Sequence, residues 1–203
     1  MATLLEIASV TDTVAIANMD FSLYGPVWDG AQTFTVPAGK VWTLTGFGAY
    51  VTLIPTASTW SCKFSLCGTS GGEPDLSNIL SEFVVSDSAH YDVNTYWTST
   101  SLRVLTEGVY AVVVWGMTPL AEFPERNQLT LGGSGVGGLY SGGTAWNRYS
   151  GGSGDWEPEA SSVDAAIIIT GTESDAPFTP PVGGPTKKRL IACANDKFWY
   201  EGI

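Results

Sequence analysis

Basic charge is what this sequence has least of. Nine lysines and arginines stand against twenty aspartates and glutamates in 203 residues, a formal net charge of -11, and charged residues of both signs make up only 14% of the chain. A surface of that sign repels phosphate, which argues against nucleic acid and anionic membrane as partners. Histidine is nearly absent as well. The single one, His90, lies in a polar Ser-Ala-His-Tyr-Asp context, and the Gly-x-Ser-x-Gly match at Gly68 to Gly72 falls in a stretch read as a loop that opens no clear helix, so a Ser-His-Asp triad has no footing and no catalytic residues are assigned. The cysteines, Cys62, Cys67 and Cys193, are odd in number and read as free thiols. Cys62 and Cys67 sit five apart in one strand and so point to opposite faces, which rules against a disulfide between them. Their spacing has no second ligand pair, which leaves no zinc site. No apolar run approaches the roughly 20 residues of a membrane span. The first six residues lack the basic start and apolar core of a secretory signal, so the expectation is synthesis in a cytoplasm without membrane insertion.

What is present points to one substantial β domain. Hydrophobic residues make up 44% of the chain, enough for a single core, while 24 glycines and 11 prolines leave few candidates for long helices. The central stretch is residues 32–51, QTFTVPAGKVWTLTGFGAYV. Thr33 to Val36 reads as a short strand, Pro37 to Lys40 as a tight turn, and Val41 to Leu53 as a longer strand, together a hairpin. Apolar positions in the longer strand are even at Trp42 and Leu44 and odd at Phe47, Ala49, Val51 and Leu53. Strand side chains alternate between faces, so a change of phase beside Gly46 predicts a bulge or sharp bend at Thr45-Gly46. Such bends let a sheet curl into a sandwich.

Other blocks fit that class. Residues 1–20 hold two apolar clusters, consistent with a short helix or an irregular leader strand, and residues 21–29 carry a Gly25-Pro26 turn signal. Trp60, Cys62, Phe64 and Leu66 alternate with Ser61, Lys63 and Ser65, the pattern of a half-buried antiparallel strand. Gly68 to Asp75 reads as a loop, and Leu76 to Val85 as a turn of helix or a loop entering a strand. Val109 to Trp115 is apolar on both faces, as in a mid-sheet strand covered on each side, and Ile167 to Ile169 suggests the same. Gly171 to Pro185 is a proline, glycine and acid linker. Beyond it Lys187, Lys188 and Arg189 open a segment whose two strands are joined by Asn195-Asp196, a pair suited to a two-residue hairpin turn.

The organisation expected is an arm over residues 1–29, a sandwich over 30–171, a linker over 172–186 and a hairpin over 187–203. An isolated hairpin is marginally stable in water, so this one needs a surface. Lys187, Lys188, Arg189, Leu190, Ile191, Phe198, Trp199 and Tyr200 are the candidate docking residues.

The glycine-dense stretch from Gly132 to Gly154 also carries aromatic residues, which argues for ordered turns between short strands. Tyr140, Trp146, Arg148, Tyr149, Asp155 and Trp156 form the candidate ligand set. Flat rings stack on sugars, and the polar members would bond hydroxyls. The competing reading is that Trp146 and Trp156 plug the end of the sandwich. Glu157 and Glu159 flank Pro158 as ordinary loop carboxylates do. A calcium site would have to draw on Asp155, Glu157 and Asp164; no metal and no cofactor are assigned.

Taken in order, the 32–51 stretch, the GGEPDLSN loop at 71–78, SLRVLTEGVYAVVVW at 101–115, LYSGGTAWNRYSGGSGDW at 139–156, and Asp164 to Gly171 with its apolar middle resemble the jelly-roll modules often labelled choice-of-anchor domains. Leu-Thr-x-Gly-x-Tyr at Leu105 to Tyr110 and Tyr-x-Gly-Gly at Tyr140 to Gly143 are the most telling pieces. The resemblance implies an all-β, jelly-roll-like antiparallel sandwich, non-catalytic and similar to carbohydrate-binding domains, of the kind attached to bacterial surface proteins and phage virion proteins. With no secretory signal, the phage branch is the expectation: a virion structural protein on a fibre, tail or capsid exterior. Its expected partners are other virion proteins or copies of itself in a homo-oligomer, with a cell-surface glycan as the alternative ligand.

Overall fold

The computed structural model describes residues 2–6, 18–20, 28–53, 61–86, 95–115, 128–131, 133–134, 140–149, 155–159, 164–177, 188–194 and 197–202; at 18–20, 28, 52–53, 128–131, 133–134, 149, 188–194 and 197–202 it describes backbone alone. In chain order the strands are β1 (Ala2–Glu6), β2 (Asn18–Asp20), β3 (Trp28–Val36), β4 (Lys40–Leu53), β5 (Ser61–Ser70), β6 (Glu73–Ser86), β7 (Thr95–Leu105) and β8 (Gly108–Trp115). They continue with β9 (Gln128–Leu131), β10 (Gly133–Ser134), β11 (Ala145–Tyr149), β12 (Glu157–Pro158), β13 (Asp164–Ala165), β14 (Ile167–Asp175), β15 (Lys188–Ala194) and β16 (Lys197–Gly202). No helix occurs among the described residues.

Two antiparallel six-stranded sheets face each other as a sandwich. The β4 sheet runs β1-β14-β4-β9-β2, with β7 on the other side of β4, and the β8 sheet runs β12-β11-β3-β8-β5-β6. The expected hairpin across Pro37 to Lys40 is corrected here: β3 and β4 do not pair with each other but lie in opposite sheets. Residues 37–39 therefore form an arch between layers. The amide of Lys40 donates to the Pro37 carbonyl at 3.1 Å, and Gly39 sits at φ +73°, a conformation that side-chain-bearing residues rarely adopt. Its amide donates to Glu107 at 2.9 Å, tying this arch to the one between β7 and β8, which also crosses between the sheets. Phe34 and Trp42, one from each sheet, stack behind the arch with ring centroids 5.9 Å apart.

The phase change in β4 is a bulge. Gly171 and Thr170 are consecutive on β14 but face Leu44 and Gly46, so Thr45 is the extra residue. It allows Trp42 and Leu44 on one side of the bulge, and Phe47, Ala49 and Val51 on the other, all to reach the core. Against them the β8 sheet presents Phe34, Phe64, Leu66, Val112 and Val114. Each such fully buried side chain contributes about 2 kcal/mol of transfer free energy.

One further sequence expectation changes, and the choice left open for residues 1–20 is decided for the strand at residues 2–6. Residues 73–86 form one long strand, not a helical turn or loop, and the β5 to β6 link is a tight turn at Gly71-Gly72 within one sheet. Residues 2–6 form a strand paired to β14, and residues 18–20 one paired to β9, so both add to the β4 sheet. β8 lies between β3 and β5, and Ala111 to Val114 are buried without a break, as a strand covered on both faces should be. His90 and the Gly25-Pro26 turn lie outside the described residues.

Candidate functional site

Alternation along the β8 sheet divides its side chains between the core and the opposite, outer face. Ala31 on β3, Ala111 and Val113 on β8 and Cys67 on β5 form a second apolar cluster there, covered by Trp156 and flanked by Leu76, Trp115 and Trp146. Small residues make the floor and indoles the cover. Trp146 stands directly opposite Ala31 in the β11 to β3 ladder, and Arg148 opposite Asp29, so both share this face. Trp156, only 8% exposed, arrives from the segment before β12.

Charged groups order the cover at both ends. At one end the Arg148 guanidinium lies 4.7 Å from the centre of the Trp156 ring while its Nε donates to Asp29 Oδ2 at 2.9 Å. Asp29 is buried, and removing Arg148 would leave its carboxylate without that charge partner in a low-dielectric setting. At the other end Trp115 Nε1 donates to Ser65 Oγ at 2.8 Å, and Ser65 in turn donates to Glu82 Oε2 at 3.0 Å. Lys63 bridges Glu82 at 3.2 Å and sits 4.7 Å over the Trp115 ring, a cation-π contact worth about 0.5–1 kcal/mol at a half-exposed site. Trp146 Nε1 is shielded from solvent and has no hydrogen-bond partner among the described residues.

The structure brings together Trp146, Arg148 and Trp156 of the six ligand candidates. Tyr140 sits elsewhere. It packs on the main core, its hydroxyl accepts the Thr35 amide at 3.0 Å, and its own amide donates to Asp164 at 3.1 Å. Burial raises the Tyr140 pKa above the usual phenol value. Tyr149 pairs with Trp28 in the ladder, with its side chain outside the described residues, and Asp155 is exposed beside Trp156. Asp164 is spent on Tyr140 and Gln32, so it does not join Asp155 and Glu157, and no group of three metal-ligating side chains occurs among the described residues. Glu159 instead accepts from the Asn147 side chain.

Sequence reasoning missed Asp29, Lys63, Ser65, Glu82 and Trp115. Their strands are remote in sequence, and Lys63 and Ser65 looked like a solvated face. The available signal was Val109 to Trp115, whose two apolar faces required an outer cover. The thiols follow the two-face assignment: Cys62 belongs to the main core and Cys67 to the outer cluster, both are free, and burial pushes each pKa up to about 12. At neutral pH both are protonated and poor nucleophiles.

Of the docking candidates, Lys188, Arg189, Leu190 and Ile191 lie on β15, and Phe198, Trp199 and Tyr200 on β16; Lys187 is outside the described residues. Ala194 pairs with Lys197, leaving Asn195-Asp196 as the connection, and Ile191 is an extra residue between the Leu190-Tyr200 and Ala192-Trp199 pairs. This hairpin is a two-stranded sheet of its own, joined to neither sheet of the sandwich among the described residues.

Comparison of the chain with protein-family models, curated proteins and solved structures gives no match.

Proposed function

We propose that the chain is a non-enzymatic structural protein of a phage particle, a fibre, tail or capsid-exterior component, displaying its sandwich and attaching through its C-terminal hairpin. The observation that carries this reading is the β15 to β16 pair, hydrogen-bonded to itself and to neither sheet among the described residues. Two strands alone do not bury enough apolar surface to be stable, so the natural complement is a surface on another subunit. Strand addition supplies main-chain hydrogen bonds for that purpose. Truncation after Pro177, which keeps all of β14, is expected to remove the protein from purified particles while leaving the sandwich folded. Incorporation at the normal level would end the attachment reading.

A second reading is supported by the outer face of the β8 sheet, where Trp115, Trp146 and Trp156 lie beside Arg148, Asp29 and Ser65. Indole faces with flanking donors and acceptors are the equipment of a glycan-binding surface. In this reading Trp146→Ala abolishes glycan or cell binding while the melting temperature moves by less than about 3 °C, roughly 1 kcal/mol at this chain length. A large fall in melting temperature with unchanged binding would make the indoles a cover for the sheet and nothing more.

A further inference from the structure

The long strands β6 and β7 each pair on one side only among the described residues, β6 with β5 and β7 with β4. They meet along one flank of the sandwich. Ser101 Oγ donates to Ser81 Oγ at 2.9 Å, and Arg103 Nε donates to the Leu80 carbonyl. Between them runs an open groove of about 670 Å³ lined by Thr45, Ser81, Thr100, Ser101, Leu102 and Arg103. Of the five large exposed hydrophobic residues among the described residues, four lie on these two strands: Ile79 and Val84 (58% exposed) on β6, Leu102 (79%) and Val104 (64%) on β7.

Natural edge strands are usually guarded by lysine, proline or a short length. Here β6 is 14 residues long, its one proline, Pro74, stands at the turn end, and it carries Glu73 and Asp75, with Glu82 bridged to Lys63, and no basic residue of its own. The complementary charge lies in the same chain. Residues 187–203 hold Lys187, Lys188, Arg189 and Lys197 against Asp196 and Glu201, a net +2, whereas residues 1–186 carry a net -13. β15 itself is Lys-Arg followed by apolar residues, the pattern that would set its basic end against Glu73 and Asp75 and its apolar run along exposed valine and leucine, in place of the Arg103 contact to the Leu80 carbonyl. The open end and the unattached hairpin are therefore donor and acceptor of matching kind.

We propose that the β6 to β7 flank of one copy is the acceptor for the basic C-terminal hairpin of a second copy, with β15 adding to the free edge of β6. This rests on the attachment reading above and names its partner as the chain itself. The contact is heterologous, head to tail, and closes into a ring or propagates according to the rotation between copies.

The test uses the full-length chain and sedimentation equilibrium at low and high salt. Wild type is expected to self-associate, with the association weakened by salt. Val84→Lys with Leu102→Lys disables the acceptor, and Lys188→Glu with Arg189→Glu disables the donor; each pair is expected to raise the dissociation constant at least about tenfold. Val84 and Leu102 are surface positions, and circular dichroism checks that both variants remain folded. Mixing the two variants is the decisive arm. One intact donor and one intact acceptor remain, so the mixture gives heterodimers and nothing larger. A monomeric wild type, or variants that associate like wild type, overturns the homotypic contact. If truncation after Pro177 nevertheless removes the protein from particles, the hairpin serves a different subunit and the attachment reading stands alone. If truncation changes neither association nor incorporation, both fall.

Discussion

The Asp164 carboxylate is 3% exposed and accepts two hydrogen bonds, from the Tyr140 amide at 3.1 Å and from Gln32 Nε2 at 3.3 Å. Gln32, itself fully buried, returns its carbonyl oxygen to the Ala165 amide at 2.7 Å. Three stretches far apart in sequence, around Gln32, Tyr140 and Asp164, thus meet in a single network. Next to it Gly143 lies so close to β3 that an added Cβ would fall 1.8 Å from the Thr33 carbonyl oxygen, which accounts for the glycine in Tyr-x-Gly-Gly. Asp164→Ala takes the acceptor from the part-buried Tyr140 amide and from one N–H of the buried Gln32, whose side-chain amide keeps the Thr33 carbonyl at 3.1 Å, and an unmet donor costs about 1–3 kcal/mol. The expected result is a loss of about 3 kcal/mol in urea unfolding, with Asp164→Asn, which keeps one acceptor oxygen, losing less. Equal behaviour of Ala and wild type would mean that water replaces the carboxylate and that the network pins nothing.

At the scale of elements, Thr45 is the sharpest case, because a bulge in β4 sets which side chains on either side of it reach the core. Deleting Thr45 shifts the phase of one half of the strand and sends either Trp42 and Leu44, or Phe47, Ala49 and Val51, to the wrong face. Loss of the cooperative thermal transition is expected, whereas Thr45→Ala, at a half-exposed position whose hydroxyl bonds Thr170 at 3.2 Å, should cost less than about 1 kcal/mol. A folded deletion variant would show that β4 can slip its register.

This bulge was legible in the sequence, as were the two faces of β5 and the double burial of β8, because each depends on local alternation. Partners were not. Pro37 to Lys40 has the look of a hairpin turn, yet Gly39 and Glu107 make it an arch, and β3 finds its partners in β8 and β11 instead. β6 was misread for a related reason: as an outermost strand beside a groove it exposes Val84 and half-buries Phe83, so its alternation is blurred. The candidate site divides in the same way. Trp146, Arg148 and Trp156 were visible as neighbours in sequence, while Trp115 and Lys63 reach the same face only through sheet pairing.

The whole molecule is held by contacts between distant parts of the chain. Lys40 and Asp175 lie 135 residues apart and are joined at 2.8 Å, Gln32 and Asp164 are 132 apart, and Asp29 and Arg148 are 119 apart. The chain changes sheets between β3 and β4, between β4 and β5, between β6 and β7, and again between β7 and β8, so few of its local pieces can pair before both layers assemble. The β5 to β6 hairpin is the main exception, which makes it the natural early element. Because loop closure precedes any gain from distant contacts, refolding from urea is expected on the millisecond-to-second scale typical of β-sandwiches, slower than about 10³ per second. Stopped-flow tryptophan fluorescence reports it directly, since Trp42 and Trp97 enter the core only when the sheets close. Removing the hairpin by truncation after Pro177 should leave that rate unchanged, because β15 and β16 contribute no pairing to either sheet among the described residues. A refolding rate that fell with the truncation would place the hairpin inside the folding unit and make it part of the sandwich, not an appendage to it.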